Sequence, residues 1–126
     1  MKDVSTTIKY KDKDYKLVFN LNVMEEIQEE YGSVEKWGAL CEPTENKKEP
    51  DIKALKYGFR AMLNEGIDIN NEQNGTNDSP LTLKQIGRMI TELGTGDAMN
   101  ALNKTVIESA KSNEKNGSST KKQKKK

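Results

Sequence analysis

Apolar and polar positions alternate near the start of the chain and then settle into a period between three and four. Val4, Thr6, Ile8 and Tyr10 fall on one side of an extended chain, and Tyr15, Leu17 and Phe19 do the same. The polar run Lys11-Asp12-Lys13-Asp14 lies between them. This pattern predicts a β-hairpin over residues 4–19. A lone hairpin is marginal in water, so its apolar face needs helices to rest on. The period changes at Asn20. Leu21, Met24, Ile27 and Tyr31 follow at spacings of three, three and four, one stripe of a helix over about 21–31. Asn20 or Asn22 can cap its start, and Gly32 can stop it. Ser33 then caps a short helix, 34–41, that carries Trp37 and Leu40.

Residues 42–50 read as a linker, with Pro43, Pro50 and five charges. Pro50 and Asp51 open a helix over 51–65, with Ile52, Leu55, Phe59, Met62 and Leu63 as its buried stripe and Gly66 as its stop. Gly58 inside it costs about 1 kcal/mol against alanine; it either permits close approach by a neighbouring element or is simply tolerated. Asn, Asp and Gly dominate residues 66–80, so an irregular loop is expected there. Thr82 with Gln85 makes a capping box, and Leu81 with Ile86 makes a hydrophobic staple. The helix that follows, 82–93, has Leu83, Ile86, Ile90 and Leu93 as its stripe and Gly94 as its end. Asp97 is expected to cap a last helix, 97–109, with Met99, Leu102 and Val106 on one side. Beyond Ala110 the chain turns to Lys, Ser, Asn, Gly and Gln, a composition too polar to offset ordering entropy. The expectation is therefore one α+β domain, residues 1–110. In it an N-terminal hairpin packs on four to five helices, and 111–126 form a disordered tail.

Charge changes this picture. The whole chain stands at +1, but residues 111–126 hold seven lysines against Glu114, a surplus of six positive charges. The preceding 110 residues therefore carry a surplus of five negative ones. Glu25, Glu26, Glu29 and Glu30 form an acidic helix face. Such a face is either simply solvated or a dock for a basic partner. A divalent-metal site is a third reading, but no loop of calcium-binding spacing accompanies the glutamates.

Chemistry-bearing residues are scarce. The sequence has no histidine and one cysteine, Cys41. That excludes Ser-His and Cys-His catalysis, a Cys/His zinc set and any internal disulfide. Cys41 ends an apolar patch and reads as a buried, inert thiol. Gly94-Thr95-Gly96 lacks a preceding strand and a third glycine, so it is no nucleotide loop. We expect no enzyme, no cofactor and no metal. No apolar run approaches the roughly 20 residues that span a bilayer, and no secretory signal is visible, so a cytoplasmic protein without membrane contact is expected.

Binding remains as the available activity. Met62, Met89 and Met99 lie on the later helices, and methionine adapts to varied partners, although ordinary core positions explain them too. Glu26 and Glu30 are the acidic candidates for partner contact. The small, polar composition also leaves room for self-association. A different class of function is a small helical DNA-binding regulator. It would use residues 82–109 as a helix-turn-helix together with the basic tail. Against it, the second helix offers only Lys104, with Asn100 and Asn103, and the acidic body opposes duplex DNA.

The run YKLVFNLNVMEEIQEEYGSVEKWGAL, with LKYGFRAMLNEG and LTLKQIGRMITELG, resembles the small tail assembly chaperones of tailed bacteriophages, of the prophage type found in Gram-positive hosts. The likeness rests on the strand exit Phe19-Asn20-Leu21-Asn22, the acidic helix, a segment of the "R-A-L-L-x-x-G" kind at residues 60–66, and Leu81, Thr82, Gly87 and Ile90. It covers residues 1–110 in order and departs at the Asn-rich loop 66–80. The resemblance implies a non-catalytic protein of the host cytoplasm, absent from the finished particle. Such a protein coats the tape measure protein and recruits tail tube subunits.

Overall fold

In a computed structural model the protein is described over residues 5–42, 45 and 49–125, with side chains as far as Lys111. Val4, most of the linker 43–48 and Lys126 lie outside the described residues. Strand β1 (Thr6–Tyr10) pairs antiparallel with β2 (Lys13–Leu17), with Ile8 opposite Tyr15 and Thr6 opposite Leu17. The turn is only two residues, Lys11 and Asp12, both at positive φ as a tight hairpin turn requires. Strand β2 thus begins two residues earlier than the polar run suggested, while β1 ends at Tyr10 as expected. Ile8 and Leu17 are buried from the hairpin's inner face, and Phe19 extends that face past the strand end.

Five helices follow: α1 (Leu21–Tyr31), α2 (Val34–Cys41), α3 (Ile52–Asn74), α4 (Leu83–Leu93) and α5 (Thr95–Lys125). The architecture is the expected α+β hairpin on helices. Local chemistry sets most starts. Asn20, Ser33, Asp51 and Thr82 each accept a hydrogen bond from the backbone N–H three residues on, and Thr82 and Gln85 complete the capping box. Asn22 does not cap; with Asn20 it donates to Glu65 Oε2, at 3.0 and 2.8 Å, and so ties α1 to α3.

Helix α3 is the hub, touching β2, α1, α2, α4 and α5. It is also longer than its glycine predicted. Gly66 does not stop it; the helix runs on to Asn74, and Gly75, at φ +66°, is the left-handed stop. Residues 66–74 of the expected loop are therefore helix. The return to α4 is held by Asn64. Its amide donates to the Leu81 carbonyl at 3.1 Å and accepts from the Leu81 N–H at 2.8 Å, as a strand partner would. Asn64→Ala leaves both groups of Leu81 without this partner. We expect a loss of about 1–2 kcal/mol in urea denaturation, against a near-neutral change for Asn70→Ala on the exposed side.

The buried stripes differ from the expected ones by small rotations. In α1, Val23 and Ile27 are buried while Leu21 is 77% exposed. Leu21 lies six residues before Ile27, about 120° round the helix, whereas Val23 lies one turn before it on the same side. Ile52 and Leu83, expected inside, are also exposed. Helix α5 begins at Thr95, so only Gly94 links it to α4, and Asp97 lies in its first turn instead of capping it. Its buried line is Ala98, Leu102, Thr105 and Ser109. The two hydroxyls are satisfied, Thr105 by the Ala101 carbonyl and Ser109 by that of Phe19, both at 2.8 Å. Helix α5 is assigned as far as Lys125, and among the described side chains its packed part ends near Ser109, where the expected polar tail begins. No helix among the described residues is long and apolar enough to cross a membrane.

Candidate binding faces

The four glutamates of α1 arise from the sequence as one outward arc, and the structure keeps them there. Glu25, Glu29 and Glu30 are exposed and Glu26 is half-buried. The Glu26 carboxylate lies 3.9 Å from Arg60 Nη2, and its carbonyl accepts from the Tyr57 hydroxyl at 3.1 Å. So Glu26 is partly committed to α3, whereas Glu30 is available at the surface. Leu21 stands one turn before Glu25 on the same exposed side.

The methionines divide differently. Met62 and Met89 are buried in the core and offer nothing to a partner, which corrects their reading as contact residues. Both follow the stripe of their helix, and that stripe packs inward. Met99 is half-buried against the same core. Cys41 is buried. On α5, Asn100 and Lys104 are exposed beside the first-turn Asp97. No group of three acidic or thiol side chains among the described residues could hold a metal ion.

Tyr31 and Tyr57 meet edge to face behind the acidic arc, ring centroids 5.5 Å apart. Burial is the first cause that lifts both phenols above the usual 10.0, and nearby carboxylates add to it: Asp51 and Glu30 at Tyr31, Glu26 and Glu30 at Tyr57. An unfolded chain releases these protons near pH 10 and the folded one only at higher pH. The stability from this difference is therefore whole below pH 10 and lost as pH rises through the folded values. Denaturation midpoints should fall from about pH 10 upward, and the double variant Tyr31→Phe/Tyr57→Phe should show a shallower fall.

A second face emerges only in three dimensions. The hairpin turn, the first turns of α3 and the outer side of α4 enclose an open groove of about 820 Å³. Tyr10, Lys11, Ile52, Lys56, Lys84 and Arg88 line it. Gly87 lets Lys56 lie across α4: a Cβ there would stand 3.3 Å from Lys56 Nζ. Lys11 sits 5.6 Å from the Tyr10 ring centroid, a cation–π arrangement. Ile52 is 49% exposed among these cations. The sequence carried one usable sign of this groove. Ile52/Lys56 and Lys84/Arg88 are each spaced i,i+4, so each pair shares one helix side.

The molecule therefore presents an acidic face with Leu21 beside it and a basic groove with Ile52 inside it. Compared with known proteins, the chain matches no family model, no curated protein and no solved structure.

Proposed function

We propose that this chain is a non-catalytic tail assembly chaperone of the bacteriophage type. It would bind the tape measure protein, keep it soluble and recruit tail tube subunits. The observation that supports this reading is the pairing of two oppositely charged faces on one small core, each with an exposed aliphatic side chain. Such surfaces suit amphipathic helical segments, whose apolar residues anchor and whose charges set the register. The residues that carry the family likeness have structural work that fits it: Phe19 and Ile90 are buried, Asn20 and Thr82 are caps.

The test is co-expression with a tape measure protein, the long coiled-coil product that this reading expects to be encoded beside this chain. The chaperone reading expects that product to shift into the soluble fraction and to co-purify. Glu26→Lys/Glu30→Lys should lower the co-purified amount several-fold, by losing surface charge and adding repulsion; Glu30→Lys alone separates this from loss of the Glu26–Arg60 pair, and circular dichroism checks the fold. An equally insoluble product with and without this chain overturns the reading.

A further inference from the structure

The groove lined by Tyr10 is opposite in charge to the rest of residues 1–110. Four cations from three separate elements, Lys11, Lys56, Lys84 and Arg88, converge on a body whose first 110 residues are net negative. Lys13 and Arg60 each find a carboxylate, Asp78 and Glu26. Among the described residues none of the four groove cations does. Like charges gathered in this way repel one another, and an anionic occupant would relieve that repulsion.

We propose that this groove holds an acidic amphipathic segment of the client protein, with carboxylates on Lys56, Lys84 and Arg88 and an aliphatic side chain seated on Ile52. This rests on the chaperone reading for the client's identity but not for the segment's chemistry. A peptide is favoured over nucleic acid by two features. Ile52 sits half-exposed among the cations, where a phosphate backbone has nothing apolar to offer it. Glu92 also lines the groove and would repel phosphates along a continuous track. The acidic face of α1 would then be left for basic segments, so one small chain engages both charge classes.

The experiment uses the full chain against an array of about 20-residue peptides varied in net charge and in aliphatic content, long enough for several helical turns. Capture should rise with acidic charge and should require aliphatic residues. Lys84→Glu/Arg88→Glu should weaken it about tenfold or more, as should about 0.5 M salt, which screens exposed charge. Ile52→Ser should weaken binding of aliphatic peptides several-fold and leave the others unchanged. Ile52, Lys84 and Arg88 are all exposed, and circular dichroism checks that each variant is folded. Capture that ignores peptide charge, or is untouched by Lys84→Glu/Arg88→Glu, overturns the proposal. So does binding of a single-stranded DNA 20-mer as tight as that of the best peptide and indifferent to Ile52→Ser. Failure of the chaperone reading looks different: the groove would still select acidic peptides while the tape measure protein stayed insoluble.

Discussion

Gly58→Ala is expected to destabilise the domain by about 2–3 kcal/mol, lowering its melting temperature by about 10 °C. A Cβ at this position would meet the Trp37 indole, at 2.7 Å from Cε2 and 2.9 Å from Nε1, with Cζ2 closer still. Trp37 has nowhere to go. It is fully buried, its ring stacks on Phe19 with centroids 6.5 Å apart, and its Nε1–H donates to the Ala54 carbonyl at 2.9 Å. Moving the indole by even a few tenths of an ångström strains that bond and the stack together. Helix propensity acts the other way, since alanine is better than glycine in a helix by about 1 kcal/mol, but overpacking against a fixed ring outweighs it. Gly38→Ala on α2 provides the control, because a Cβ there meets nothing within 4 Å. It should be neutral or stabilising. Equal effects at the two positions would show that Trp37 does not rest on Gly58. A double variant with Trp37→Phe should cost less than the sum of the two single changes, since the smaller ring vacates the space.

Local signals were read well from the sequence because they involve only neighbours in the chain. Ser33 and Thr82 were visible as caps, Asn20 as one of two candidates and Asp51 as part of a helix start, since a cap needs one side-chain oxygen and the N–H three residues on. The rotational phase of each stripe was less legible. Two successive spacings of three carry Leu21 about 120° away from Ile27, and Val23, one turn before Ile27, takes the buried place. Thr105 and Ser109 could not be read as core from hydropathy, because their burial depends on acceptors at Ala101 and Phe19. The acidic face needed only helical spacing and survived. The basic groove joins cations as far as 77 positions apart, Lys11 and Arg88, and its parts become a site only once the hairpin turn meets α3 and α4.

Gly66 separates the two ways of reading a glycine most sharply, and the sign of its substitution decides between them. As a helix stop it would be cheap to replace, or costly only through its backbone angle. The structure gives it another task. A Cβ at 66 would fall against the carbonyl oxygen of Lys16 and 3.3 Å from that carbonyl's carbon. A little further along β2's exit, the Val18 N–H donates to the Met62 carbonyl at 3.2 Å. Strand exit and helix thus lie backbone to backbone, with Leu17 wholly buried at the contact. A backbone carbonyl cannot swing aside as a lysine end can, so Gly66→Ala must push the hairpin off α3. We expect a net loss of about 2–3 kcal/mol despite the helix-propensity gain of about 1 kcal/mol. Gly75→Ala, at the true helix end with φ +66°, should cost only about 1 kcal/mol, the strain of a left-handed residue. Urea denaturation of the two variants ranks them directly. If Gly66→Ala proves the milder change or stabilises the domain, the hairpin is not seated on α3 through this glycine. The basic groove, which needs Tyr10 and Lys11 on the same side as Lys56, Lys84 and Arg88, would then lose its frame.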